Sequence, residues 1–435
     1  MPFQFPTAER FAAWSDAETG DLPRFARATK HRDQPAIDDV AAATRAALAD
    51  LDLDSLSPGA SVAITAGSRG IRDLPAVLSA TVAALQDRGL DPFVMAAMGS
   101  HGGATAEGQA EVLASLGITE EWLGCPIRSS MAVETVGTDA DGRPVHAAED
   151  ALAADAVVLV NRVKAHTDYN GDYESGLAKM AVVGLGKHRG AETMHNAALA
   201  RGFQSVIPER ARVLFAETPV IGGVAIVENA DERAAIVEGV PVEEILDREP
   251  ELLARSKELL ATLPVSDLDM LVLDGIGKEV SGTGMDTNVV GRVRFHGQPD
   301  PDEPAITRIY VRSLTEGSHG NALGMGLADF VHQRVVRAVD LADTYVNVAT
   351  SGEPGRAKLP FVVPTDEAAL LMAASTTGRQ HPGDLRIARI RNTLDPDELL
   401  VSEPVAEDLR DDPTVTVGDP EPLAFDADGE FSRTL

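Results

Sequence analysis

Residues 61–105 read SVAITAGSRGIRDLPAVLSATVAALQDRGLDPFVMAAMGSHGGAT. Two short apolar runs, SVAITA (61–66) and PFVMAAM (92–98), flank LPAVLSATVAALQDRG (74–89), whose apolar spacing is helical and which ends on a glycine stop. Each run is short, apolar and followed by glycine, so each is expected as a buried strand. Working outward, TAEGQAEVLASLG (105–117) supplies a second helix and AVVLVNRV (156–163) a third strand. Strand, loop and helix in repetition imply a mainly parallel sheet with helices on its faces. Ligands of such sheets sit beyond the carboxyl ends of the strands. Arg69, His101 and His166 follow the three strands in turn.

Further out, the residues before about 58 read as an arm or cap with an alanine-rich amphipathic helix over 37–51. A long charged helix, VEEILDREPELLARSKELLATL (242–263), precedes a second start. There LDMLVLDGIG (268–277) and ITRIYVRSL (306–314) look like strands, separated by the turn-rich QPDPDEP (298–304). The segments 334–350 and 366–377 are expected to be largely helical. The expected fold class is α/β with two domains: a larger, mainly parallel-sheet N-terminal domain over 1–264 and a smaller α/β C-terminal domain over 265–394, with the site in the cleft between them. The tail 395–435 is expected either to return to the first domain or to extend from the second.

Composition narrows the function. Sixty-eight acidic residues against 38 basic ones give a net charge of −30. Such a surface repels nucleic-acid phosphates and anionic lipids, so neither nucleic acid nor membrane is an expected partner. The start, MPFQFPTAERFAAW, has no basic region followed by an apolar stretch. No run approaches the roughly 18 apolar residues of a membrane helix. A cytoplasmic location is expected. The single cysteine, Cys125, excludes an internal disulfide and a cysteine-rich zinc site. The acidic excess also suggests adaptation to high salt, where counterions screen self-repulsion. The unfolding temperature is therefore expected to climb steeply between low and molar salt. A melting curve unmoved over that range removes the high-salt reading and leaves the chemistry below untouched.

Chemistry-bearing residues are densest in NRVKAHTDYNGDYESGLAKMAVVGLGKHRGAETMHN (161–196), which holds three of the ten histidines and three of the seven lysines. The other 31 basic residues are arginines. A lysine kept at 179 among small and apolar neighbours, on an expected helix over 175–186, suggests a primary amine used as nucleophile or covalent anchor. The plain alternative is a surface lysine. His101, in MGSHGGAT, and His166 each sit just past a strand end. Two imidazoles facing each other across a substrate suit a reaction that treats both faces of one carbon alike, one accepting a proton while the other donates. Other motifs fail. GLGKHRG lacks the first glycine and the Ser/Thr of a phosphate loop, the glycines at 184, 186 and 190 are misplaced for a dinucleotide fingerprint, and neither HExxH nor GxSxG occurs.

GSRGIRDLP (67–75), MGSHGGAT (98–105), NRVKAH (161–166), SGLAKMAVVGLGKHRGA (175–191) with His195, and IGKEVSGTGMDTNVVGR (276–292) together resemble the lactate racemase family. The resemblance implies a nickel-dependent racemase or epimerase of a 2-hydroxyacid, using a nickel-pincer nucleotide whose nickel is held by a carbon and two sulfurs. It implies His101 and His166 as acid/base histidines, Lys179 as the covalent attachment point, and His195 as the metal ligand, imidazole being a suitable ligand for nickel. It further implies Arg69 on the substrate carboxylate, Ser68 and Arg69 at the cofactor, and Lys278 facing the site from the second domain. Maturation enzymes for the cofactor become expected partners, and the oligomeric state is left open. Glu174, Ser175 and Leu177 stand where the family is richer in glycine, and His188 is a rival for the metal. The alternative class is a non-catalytic nickel or cofactor binding or maturation protein. Such a carrier needs Lys179 and His195 but not a matched pair of histidines. A hydrolase using histidine and a loop serine is the third class.

Overall fold

The computed structural model describes residues 4–67, 70–351, 353–432 and 435. The fold is α/β and divides into two compact units, Gln34–Leu260 and a slightly smaller one formed by Ala261–Leu435 together with the chain up to Asp33.

In the first unit the three expected strands appear as Ser61–Ala66, Asp91–Ala96 and Ala156–Arg162. Their apolar runs are buried from both sides, as an α/β sheet requires. Six strands make the sheet, in the spatial order Ile127–Arg128, Asp91–Ala96, Ser61–Ala66, Ala156–Arg162, Val220–Glu228 and Ala234–Pro241. All neighbours run parallel except the last pair. The helix Leu74–Asp87 starts with proline in its first turn, and Ala106–Ser115 is capped by the Thr105 hydroxyl accepting from Gly108 N. Carboxyl ends of the three long strands therefore open at one edge, where His101 and His166 follow.

The second unit is built on an eight-stranded sheet. Phe361–Val363, Phe330–His332, Ala305–Val311, Asp267–Leu273 and Ile387–Ile390 run parallel; Glu398–Ser402, Phe25–Lys30 and Val415–Val417 continue it antiparallel. Alternate residues of one strand serve different cores: Leu271 and Leu273 join one cluster, Met270 and Val272 the other. Both faces of this sheet are thus covered.

Two domain expectations need correction. The tail does not return to the first unit: Glu398–Ser402 and Val415–Val417 are strands of the second unit's sheet. Nor are the early residues simply an arm or cap for the first unit, because Phe25–Lys30 lies between those two strands. FARATK carries no continuous apolar run, since the exposed Arg27 interrupts the buried Phe25, Ala26 and Ala28, and so gave no strand signal. Among the described residues no helix is long and apolar enough to cross a membrane.

Candidate functional site

The loop after Ala96 turns through Gly99 at a φ of 62°, and a Cβ there would stand 2.7 Å from Val183 Cγ1. That close approach lays the His101 loop on the segment that follows Lys179. The buried Gln109 amide donates to Gly99 O at 2.9 Å and His101 O at 3.3 Å, pinning the loop from below. His101 itself is exposed and precedes a short 3-10 turn, Gly102–Ala104.

The loop after Arg162 is closed by an antiparallel bridge between Lys164 and Ser175. Within it the buried Glu174 carboxylate accepts from the backbone N–H groups of His166 and Gly171 and pairs with Lys257 at 2.6 Å. Glu174 is what organises this turn. His166 Nδ1 accepts the Asp168 N–H at 3.0 Å, so the proton of the neutral ring sits on Nε2. Burial first, and the Lys179 charge second, hold the His166 pKa well below the usual imidazole range.

Lys179 ends a three-residue helix, Leu177–Lys179, that passes directly into a π-helical turn, Met180–Leu185. The expected regular helix over 175–186 is therefore corrected: its backbone is widened and underwound through a π turn, a feature common at functional sites. Helix resumes at Lys187, which has a φ of 54°, and runs to Arg201. The Lys179 amine lies 5.5 Å from the Tyr169 ring centroid. Burial lowers its pKa to about 8, with Lys164 assisting and Asp168 and Glu174 opposing. Tyr169 stacks on His166 at 4.3 Å and on Phe203 at 4.0 Å, and His195 meets Phe203 edge-on at 6.0 Å.

His195 Nδ1 lies 2.7 Å from Ala191 O. A carbonyl only accepts, so Nδ1 carries the proton and Nε2 presents its lone pair. Surrounding protein and then the Lys179 charge lower the His195 pKa, although part of the residue is open to solvent. The structure thus brings His166, Lys179 and His195 around one aromatic stack and carries the His101 loop beside them. Ser68 and Arg69 lie outside the described residues. Lys278 belongs to the second unit, where its amine donates to Gly282 O at 2.7 Å. His188 is exposed on the resumed helix.

No family model matches this sequence, and no curated protein does. Among solved structures, the chain is similar to the lactate racemase apoprotein from Thermoanaerobacterium thermosaccharolyticum, at 14% identity and a TM-score of 0.50, over 87% of this chain and 95% of that one. The likeness is one of fold.

Several residues of the site escaped the sequence reading. Tyr169 and Phe203 build the stack; the signal was there, since the chain has only four tyrosines and two of them fall at 169 and 173. Lysine scarcity pointed equally to Lys187, which is fully buried and hydrogen-bonded to Ala96 O. An amine so enclosed is out of reach of a ligand, whereas Lys179 is only partly covered. Glu249, from the helix Ile245–Leu259, accepts the Ala178 N–H at 2.8 Å and so holds the start of the Lys179 helix. Burial raises its carboxyl to about 7.

Among the described residues no group of three or more His, Cys, Asp or Glu side chains is arranged to hold a metal. A metal at His195 would need its remaining donors from a bound organic group. A lysine amine that is neutral in part at pH 7 and an imidazole with its lone pair presented fit a covalently attached, metal-carrying group.

Proposed function

We propose that the chain is a racemase or epimerase that inverts a 2-hydroxyacid anion. The observation that supports this reading most is the gathering of Lys179, His166 and His195 on the Tyr169–Phe203 stack, with the His101 loop laid against the same segment. Lys179 would hold a nickel-pincer nucleotide and His195 Nε2 its nickel, and that group would supply reversible uptake of the hydrogen on the substrate's Cα.

The rest falls to the chain's own residues. Arg69, with Ser68 beside it, holds the carboxylate, which a planar guanidinium can do through two bonds. His101 takes the hydroxyl proton on one face. His166 serves the other face: as imidazolium it gives its Nε2 proton to the substrate oxygen, and in the reverse direction the neutral ring takes the hydroxyl proton on Nε2 once its own hydrogen has moved to Nδ1 and the Asp168 amide is released. Because the chain's charge is −30, a local cationic group such as Arg69 is needed to draw in an anion at all.

The test is holoprotein, co-produced with maturation enzymes, incubated with a panel of 2-hydroxyacids and followed by chiral chromatography. At least one member should lose its optical purity, and a Cα-deuterated form of that substrate should keep most of its label in ordinary water. A proton on imidazole exchanges with water quickly, so extensive wash-out points to an enolate route and overturns the proposal. So does a panel left unchanged by protein shown by mass to carry the cofactor.

A further inference from the structure

In the second unit, each of the five parallel strands delivers a charged or ionisable side chain to the same edge. Asp274 follows Asp267–Leu273, Arg312 follows Ala305–Val311, and His332 ends Phe330–His332. Asp366 opens the helix after Phe361–Val363, and Arg389 lies near the end of Ile387–Ile390. From Asp267–Leu273 the chain steps outward through three strands and then returns to the other side, at Ile387–Ile390. That reversal is the place where open α/β sheets bind ligands. Arg312 and Arg389 stand on its two sides, joined through Asp274, with Arg312 Nη1 at 2.8 Å and Arg389 Nε at 2.7 Å from Asp274 Oδ1.

The crevice is filled by the chain's own tail. Phe431 places its ring 5.0 Å from the Arg312 guanidinium carbon and 4.6 Å from that of Arg389. Its N–H donates to Asp366 Oδ2 at 2.9 Å. Glu430 accepts from His332 Nε2 at 2.8 Å and pairs with Arg334. His332 Nδ1 accepts the Arg334 N–H at 3.0 Å, and burial holds the imidazole down to about 4, so the ring is neutral and donates through Nε2. The strap reaches this place by a turn from Asp426 to Gly429, where a φ of 77° and the nearness of Thr365 demand glycine.

The charges explain what the tail supplies. Arg312 and Arg389 are matched by Asp274 and Asp366, whereas Arg334, with the more distant Arg337, adds positive charge beside His332. Glu430 meets Arg334 there, its carboxyl raised to about 7 by burial first and by the neighbouring Asp366 second, and the Phe431 ring covers two guanidinium faces, a favourable use of an aromatic surface. A ring and a carboxylate side by side, delivered by a segment that is only partly buried, are the attributes of a ligand.

We propose that this strand-end crevice is a binding site for a small aromatic carboxylate, and that Glu430 and Phe431 occupy it as a built-in competitor. The proposal is independent of the racemase reading, since none of its residues lies in the first unit.

The experiment uses the full chain carrying Glu430→Ala and Phe431→Ala, with 3-phenylpropionate as probe in calorimetric titration. The opened chain should bind it about tenfold or more tightly than the parent, and 3-phenylpropanamide, lacking the charge, about tenfold more weakly. Adding Arg334→Ala should cost the opened chain most of that gain. The peptide LAFDADGEFS, reproducing residues 423–432, should compete with the probe. If the double variant lacks a cooperative melting transition, Glu430→Gln replaces it, keeping the strap's shape while removing its charge. Equal binding by parent and opened chain, indifference to the probe's carboxylate, or no binding by any folded variant overturns the proposal.

Discussion

Lys179→Arg is expected to give a folded protein that carries no covalent adduct, retains no nickel and inverts no substrate. The parent, co-produced with maturation enzymes, should instead show the cofactor's mass on the peptide spanning residue 179. The physical basis is the amine's protonation. Held to about 8 by burial, Lys179 keeps a fraction of order a tenth neutral at pH 7, enough to act as a nucleophile, whereas a guanidinium stays charged throughout. Its positive charge also feeds back on His166 and His195, so arginine preserves their electrostatics and isolates the loss of nucleophilicity. His195→Ala should keep the adduct on Lys179 and lose nickel, and His188→Ala should behave like the parent. An active, cofactor-free Lys179→Arg protein would refute the attachment. Nickel lost on His188→Ala but kept on His195→Ala would move the metal ligand.

His166→Ala should reduce turnover by about 100-fold or more, the scale of a general acid/base group, while leaving the adduct in place. His101→Ala should do the same. The pH dependence separates His166 from an ordinary imidazole. Its folded pKa is lowered, so the neutral ring survives below pH 6.5, and the acid limb of the parent's rate profile that belongs to His166 should fall below that point. A His166→Ala protein racemising at the parental rate, or an adduct lost with the histidine, would show that this ring has another job.

Much of this was legible beforehand because the first unit's strands are buried on both faces and therefore read as unbroken apolar runs. Val62 to Ala66 and Val157 to Val160 announce themselves that way. Phe25–Lys30 did not, because its partners come from the opposite end of the chain and the exposed Arg27 and half-buried Thr29 and Lys30 leave no apolar run. Of the site, His166, Lys179 and His195 were picked out by residue type and position. The groups that fix their tautomers and placement were not: Asp168 acts through its backbone N–H, Ala191 through its carbonyl, and Glu249, some seventy residues downstream, holds the start of the Lys179 helix. Backbone groups leave no trace in a sequence, and a buried carboxylate in a charged amphipathic helix looks like any other acidic residue.

The π turn between Lys179 and His195 has a geometric consequence. Sixteen steps of a regular helix at about 100° each would leave the two side chains about 160° apart, on nearly opposite faces. Wider winding through Met180–Leu185 and the left-handed residue Lys187 retard that rotation and let both reach one aromatic stack. The angular phase between amine and imidazole is therefore written in the number of residues separating them. Deleting one residue between 180 and 185 would shift it by about a quarter turn or more while leaving every side chain of the site chemically intact.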